Sequence, residues 1–427
     1  MKTMGTVERL LSSVELPEMV SVRQKFDDTH IPVEEIPDVV KTQLDRTEIK
    51  EKIRPGMEIA ITVGSRGVAN IPVIIKAIGD FVKSQGATPF LVPAMGSHGG
   101  ATAEGQRAVI EGYGVTEEAT GCEIRSSMET ALIGETPNGM PVRIDKNAYE
   151  ADGIIVCGRV KPHTGFRGPY ESGIMKMMAI GLGKQFGAEI IHWDGFGHFK
   201  EYIPMFGNAI LKNAPVLCGV ALLENAYDKT REIVSLTPQE IIDEEPKLLL
   251  RAKSYMPRIL FDSCDVLIVD QMGKNISGDG MDPNISGRFP TPYADGGIKA
   301  QRVVALDLTE QSHGNACGIG LADVTTRRLF NKMDFEQTYP NAITNTVVEE
   351  MKIPMIMESD KLAVQMALKS CVEIDHQNPR VVRIHTTMDM DEIQISAGLV
   401  EEARQNPALE ILGETKPMEF NGQDNFF

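Results

Sequence analysis

The sequence predicts an α/β protein made of two α/β domains with mostly parallel sheets and an active site in the cleft between them. Two observations predict this class. Short apolar runs alternate with helix-periodic segments in MEIAITVG, IPVIIKAIGDFVKSQG, TPFLVP and AEGQRAVIEGYG, the pattern of strands joined by crossover helices. A second series of the same kind opens at CDVLIVDQMG and continues through RVVALDL. A length of 427 residues allows each series its own core. The expected boundary lies near residues 260–263, giving domains 1–262 and 263–427, with the last helix packing back on the first domain.

The elements follow in order. VRQKFDDTHIPVEEIPDVV predicts an extended segment and one helix near residues 38–46. MEIAITVG is a strand ending in GSRG, and IPVIIKAIGDFVKSQG is a helix stopped by glycine. TALIGE and MPVRID, separated by Pro-Asn-Gly, predict a hairpin. GIIVCG is a buried strand, a helix is expected near residues 205–212, and VLCGVALLE and REIVSL are strands. Thr237-Pro238-Gln239-Glu240 has the residues of a capped helix start, and Pro246 is expected to kink or break that helix. DVTTRRLFNKM, SDKLAVQMALKSC and EIQISAGLVEEARQ are expected helices, with RVVRIHT a strand. The aperiodic stretch GKNISGDGMDPNISGRFPTPYADGGIK is expected to be an ordered ligand loop, because loops of this length inside compact proteins are usually functional.

Composition narrows the function. Hydrophobic residues make up 42% and charged residues 24%, as in a soluble globular protein. A formal net charge of −17 opposes nucleic acid and anionic membranes as partners. The six cysteines, at 122, 157, 218, 264, 317 and 371, form no C-x-x-C pair and sit mostly in apolar runs, as buried reduced thiols do. The N-terminus has no continuous apolar segment, so a soluble, cytoplasmic protein is expected.

The chemistry concentrates in residues 160–192, VKPHTGFRGPYESGIMKMMAIGLGKQFGAEIIH, directly after the strand GIIVC. Open α/β sheets hold ligands beyond the carboxyl ends of their strands. His98 in GSHGG and His163 in KPHTG both end strands, and such a pair could exchange protons with two faces of a substrate. Metal ligation is the rival role for these imidazoles. Lys176, among apolar neighbours in ESGIMKMMAIG, could act as a desolvated amine nucleophile, and Lys184 competes with it. Arg66 in GSRG could clamp a carboxylate. Dinucleotide, P-loop and serine-hydrolase motifs are absent.

GSHGGATAEGQ, KPHTGFRGPYESGIMKMMAIGLGK and the following His192 together resemble the nickel-pincer lactate racemase family, over nearly the whole chain. The resemblance implies a racemase or epimerase of a 2-hydroxy acid, working by proton-coupled hydride transfer through a 2-oxo acid. Its cofactor would be a nickel-pincer nucleotide, a pyridinium-3-thioamide-5-thiocarboxylate mononucleotide of nickel. By motif, Lys176 would carry the cofactor covalently and His192 would ligate its nickel. The family's interval of sixteen residues between them favours Lys176 over Lys184. His98 and His163 would be the acid/base pair, and Arg66 would bind substrate. Lys274 or Arg288 would replace the family's second-domain substrate residues. Partners would be the small hydroxy acid and the cofactor-biosynthesis enzymes, with oligomeric state left open. Val63 stands where the lactate-acting members have aspartate, and Gly99-Gly100 replace an arginine-proline pair, so lactate itself is not implied. An epimerase of a larger sugar acid and a non-catalytic nickel-cofactor-binding protein are the alternative readings.

Overall fold

The run EIAITV forms the strand Glu58–Val63 at the centre of a six-stranded sheet. In a computed structural model describing residues 5–427, this sheet is ordered Glu123–Ile124, Thr88–Pro93, Glu58–Val63, Gly153–Arg159, Val216–Glu224, Thr230–Leu236. All neighbours are parallel except the last pair. Side chains alternate between two apolar layers. Ala60, Phe90, Val92, Ile154 and Val156 enter one, while Ile59, Ile61, Leu91, Ile155 and Cys157 enter the other. Burial of both faces explains the near-continuous apolar strands. The helix Ile71–Ser84 covers the second layer, and the helices Phe199–Asn213 and Pro238–Tyr255 cover the first.

The other sheet has eight strands, ordered Met355–Met357, Val324–Thr326, Lys299–Leu308, Ser263–Met272, Val381–Ile384, Glu392–Ser396, Met19–Gln24, Leu409–Ile411. The first five are parallel and the remaining pairs antiparallel. The α/β class with mostly parallel sheets is therefore observed.

The chain divides into Asp27–Met256 and a second unit that joins the residues up to Phe26 to Pro257–Phe427. The sequence placed the division at 262/263 and the first residues in the first domain. Instead Met19–Gln24 pairs with Glu392–Ser396 and Leu409–Ile411. The last helix, Val400–Gln405, packs within its own unit, where Ala403 shares a core with Leu399 and Leu409.

Two local expectations need correction. EIQIS is a strand, Glu392–Ser396, because Ile393 and Ile395 bury on one face at a period of two. VTT is likewise a strand, and Thr326 then caps the helix Arg327–Lys332. Pro246 lies inside the helix Pro238–Tyr255 without ending it, while Thr237 and Glu240 form the expected capping box. All six cysteines are free and buried, and no helix among the described residues is long and apolar enough to cross a membrane.

Candidate functional site

Parallel strands deliver their following loops to one edge of the sheet. Glu58–Val63, Thr88–Pro93 and Gly153–Arg159 lead into GSRG, AMGSHGG and VKPHTG, so Arg66, His98 and His163 emerge at the same edge. A helical run comprising Ile174–Lys176, the π-helix Met177–Leu182 and Lys184–Trp193 is seated against that edge. Glycines allow the close seating. A Cβ on Gly64 or Gly158 would lie 3.0 or 3.1 Å from the Met177 methyl, and one on Gly181 would lie 2.7 Å from the Ala94 carbonyl. The Gly96 N–H donates to the Gly181 carbonyl at 3.2 Å. A π-helical turn inside a helix often marks a functional segment, and here it directly follows Lys176.

The start of this run is held from outside. Ile174–Lys176 has no side-chain cap of its own, but the buried Glu245 accepts from the Met175 N–H at 3.0 Å. Any Cβ on Gly173 would collide with Glu245 Oε1. Burial pushes the Glu245 carboxyl up to about 8.

His163 and His192 flank an aromatic cluster. Phe166 and Phe196 lie 4.6 and 5.9 Å from the His163 ring, Phe196 and Phe199 lie 5.6 and 4.9 Å from His192, and Phe196 stacks on Phe199 at 4.4 Å. The two imidazoles are fixed in opposite senses. His192 Nδ1 is 2.6 Å from the Ala188 carbonyl, an arrangement that places its proton on Nδ1 and a lone pair on Nε2. His163 Nδ1 accepts from the Gly165 N–H at 2.9 Å, which places the neutral ring's proton on Nε2. Both rings are held neutral. Burial, then the charges of Lys176, His192, Arg66 and Lys161, hold His163 well below the ordinary histidine range. Burial, then the Lys176 charge, lowers His192 to about 4 against the opposing Ala188 hydrogen bond. Lys176, Arg66 and His192 are thus near enough to His163 for their charges to act on it.

The loop carrying His163 is organised by the buried carboxylate of Glu171. It accepts from the His163 N–H at 2.7 Å and pairs with Lys253 at 2.7 Å and Arg167 at 3.2 Å. His98, exposed, is engaged through Nδ1 by Ser65 Oγ at 2.5 Å. Arg66, next to that serine, is exposed.

Lys184 is excluded from the reactive role. Its side chain is 1% exposed, pairs with Asp145 at 3.0 Å, and donates to the Pro93 carbonyl at 2.5 Å and to Gln106 Oε1 at 3.0 Å. It is a buried structural cation. Lys176, half-buried at the start of the π-turn, is the lysine the site presents.

Lys274 and Arg288 belong to the other unit. Arg288 is committed to Asp323 at 2.7 Å and to the Gln301 carbonyl at 2.9 Å. Lys274 donates to the Gly278 carbonyl at 2.6 Å. Ser65, Glu171, Glu245 and the Phe166–Phe196–Phe199 cluster were not singled out from sequence. Only Ser65, in GSRG beside Arg66, carried a local signal.

The sheet edge carries Arg66, His98 and His163, and the helical run seated against it carries Lys176 and His192, side chains whose chemistry allows proton exchange and the holding of an anion or a cofactor. Residues 9–189 match the family model described as the lactate racemase N-terminal domain, so that segment is similar to that domain. The matched segment contains Arg66, His98, His163 and Lys176, and ends just before His192. No curated protein matches the sequence. Among solved structures, a Thermotoga maritima protein is similar in fold, with TM-score 0.50 and 10% identity over 77% of this chain and 84% of its own. The lactate racemase apoprotein from Thermoanaerobacterium thermosaccharolyticum gives a TM-score of 0.46 and 15% identity, covering 81% of this chain and 91% of that one.

Proposed function

We propose that this protein is a racemase or epimerase of a 2-hydroxy acid, using a nickel-pincer nucleotide attached through Lys176 and ligated by His192. The observation that carries this reading is the pairing of Lys176 with a neutral histidine whose Nδ1 is engaged by the Ala188 carbonyl. Metal-binding histidines characteristically donate their other ring N–H to such an acceptor, which fixes the ligating tautomer. The donor set fits the group: one imidazole Nε2, one amine, and a wall of Phe166 and Phe196. When bound, the group supplies an acceptor for the hydride on the carbinol carbon of the substrate.

The chain's own residues supply the rest. Arg66 holds the substrate carboxylate through its planar fork. His98, engaged at Nδ1 by Ser65, exchanges the hydroxyl proton through Nε2. His163, with its proton on Nε2, donates a hydrogen bond to the substrate oxygen from the opposite side. The proton that His98 takes is balanced by one that His163 gives to the product oxygen, and in the reverse direction the two histidines exchange these roles. His163 must then move its proton to Nδ1, which requires the Gly165 contact to open. Phe166 and Phe196 keep water from the reacting carbon.

The test is intact-mass and nickel analysis of protein produced alongside the cofactor-making enzymes, followed by chiral assays on a panel of 2-hydroxy acids. The expected result is an adduct absent from Lys176→Ala. His98→Ala and His163→Ala should keep the adduct and lose turnover. An adduct persisting in Lys176→Ala would overturn the anchor assignment.

A further inference from the structure

Away from the histidine–lysine site, three metal-ligating side chains of mixed chemistry meet in the interior of the other unit. Asp279, Cys317 and Glu350 each offer one ligand atom, all within 4.8 Å of one another, and all three residues are buried. They come from separate segments: the turn after Ser263–Met272, the loop after Lys299–Leu308, and the 3₁₀ turn Val348–Met351.

The backbone forces them together. Gly280 and Gly318 adopt φ of +70° and +91°, in the region that favours glycine. A Cβ on Gly318 would collide with the Asp279 carbonyl, and one on Gly280 would lie 2.5 Å from the Cys317 carbonyl. The two turns therefore press back to back, which brings together Asp279 and Cys317, the residues preceding each glycine. The Gly318 N–H donates to the Glu350 carbonyl at 3.1 Å and ties the third donor to the same turn. The Cys317 thiol lies 3.1 Å from Glu350 Oε2, and Asn345 Nδ2 donates to the same oxygen at 3.2 Å.

We propose that Asp279, Cys317 and Glu350 form a binding site for a divalent transition-metal cation, with zinc the best match. Two carboxylates and a thiolate carry three negative charges. The ammonium of Lys274, whose field reaches both Cys317 and Glu350, offsets one of them. A divalent cation balances the remaining two. On binding, the Cys317 thiol loses its proton to solvent and its sulfur becomes a ligand. One sulfur and two carboxylate oxygens suit zinc, whereas calcium requires six to eight oxygens and copper(I) prefers several sulfurs. Because Asp279 and Lys274 share one loop, occupancy would also fix the geometry around Lys274.

The site is independent of the proposed racemase chemistry, and its test is kept separate. Full-length protein prepared without the nickel cofactor is stripped with a chelator and titrated with zinc against a chromophoric competitor. One equivalent should bind tightly, with affinity reduced roughly 100-fold or more in Cys317→Ser and Glu350→Gln and unchanged in His192→Ala. Cobalt(II) in the wild-type protein should give a thiolate charge-transfer band. That readout decides the question even if a variant fails to fold. Absence of both a bound equivalent and the band would overturn the proposal, as would full zinc affinity in folded Cys317→Ser.

Discussion

At the scale of single residues, the telling contrast is between two histidines held neutral but in opposite tautomers. Ala188 places the His192 proton on Nδ1, and Gly165 places the His163 proton on Nε2. A glutamine side chain can reproduce a donor but not a base. Both directions of turnover pass through the same proton transfers, so His163→Gln should lose turnover as fully as His163→Ala, and by the same factor in either direction. Initial rates on the two separate enantiomers measure this, and substantial turnover by His163→Gln would refute the assignment of proton transfer to His163. Ser65→Ala removes the partner of His98 Nδ1. The expected effect is a roughly 10-fold or larger fall in kcat, the range for losing a group that orients a functional imidazole, with cofactor attachment unchanged by intact mass. His98, His163, Lys176 and His192 could be singled out as candidates because each sits in a motif at a strand or helix end. Their tautomers were not. Those are set by a backbone N–H two residues away and a helix carbonyl four residues away, groups that every residue carries and no sequence pattern marks.

At the scale of elements, the helix start bearing Lys176 depends on a side chain seventy positions away. Glu245 accepts from the Met175 N–H, and Gly173 leaves room for it. Its carboxyl, ordinarily at 4.5, is raised by burial to about 8. The folded protein therefore holds a proton on Glu245 between about pH 4.5 and 8, where the unfolded chain releases it. The linked stability is present in full below 4.5 and is lost as pH rises toward 8. Urea unfolding at pH 5, 7 and 9 should show the wild type losing stability relative to Glu245→Gln, a variant that cannot ionise. A constant difference across that range would show that Glu245 is ionised in the fold. Gly173→Ala should destabilise by about 1–3 kcal/mol through the collision with Glu245. Strong periodicity made most long elements readable, including Ile71–Ser84, Asp360–Ser370 and the capped start at Thr237. EIQIS misled because SAGLVEEARQ behind it is helical in composition, and burial of Ile393 and Ile395 against the sheet outweighed that propensity.

At the scale of the whole molecule, the first ordered strand is what composition least foretold. Nothing in MVSVRQ states which sheet it joins, and its partners lie more than 360 residues away in sequence. Yet Met19–Gln24 is an interior strand of the eight-stranded sheet, hydrogen-bonded to Glu392–Ser396 on one side and Leu409–Ile411 on the other. Gln24 is fully buried, with its amide donating to the Met390 carbonyl at 2.7 Å and its oxygen accepting from the Leu260 N–H at 2.7 Å. Removing the segment would leave two unpaired strand edges and strip Val20 and Val22 from their core. A chain of residues 257–427 alone should therefore be insoluble or lack a cooperative melt. Co-expression with residues 5–26 should restore a soluble, cooperatively melting complex, and a Val22→Asp segment should not. A chain of residues 27–256 contains every partner of its own six-stranded sheet. It should fold without either segment and keep the Lys184–Asp145 pair that anchors the site's second helix. If residues 257–427 melt cooperatively by themselves, the N-terminal strand is an accessory to that sheet. If only the complex does, Met19–Gln24 must pair with Glu392–Ser396 and Leu409–Ile411 before that sheet is complete.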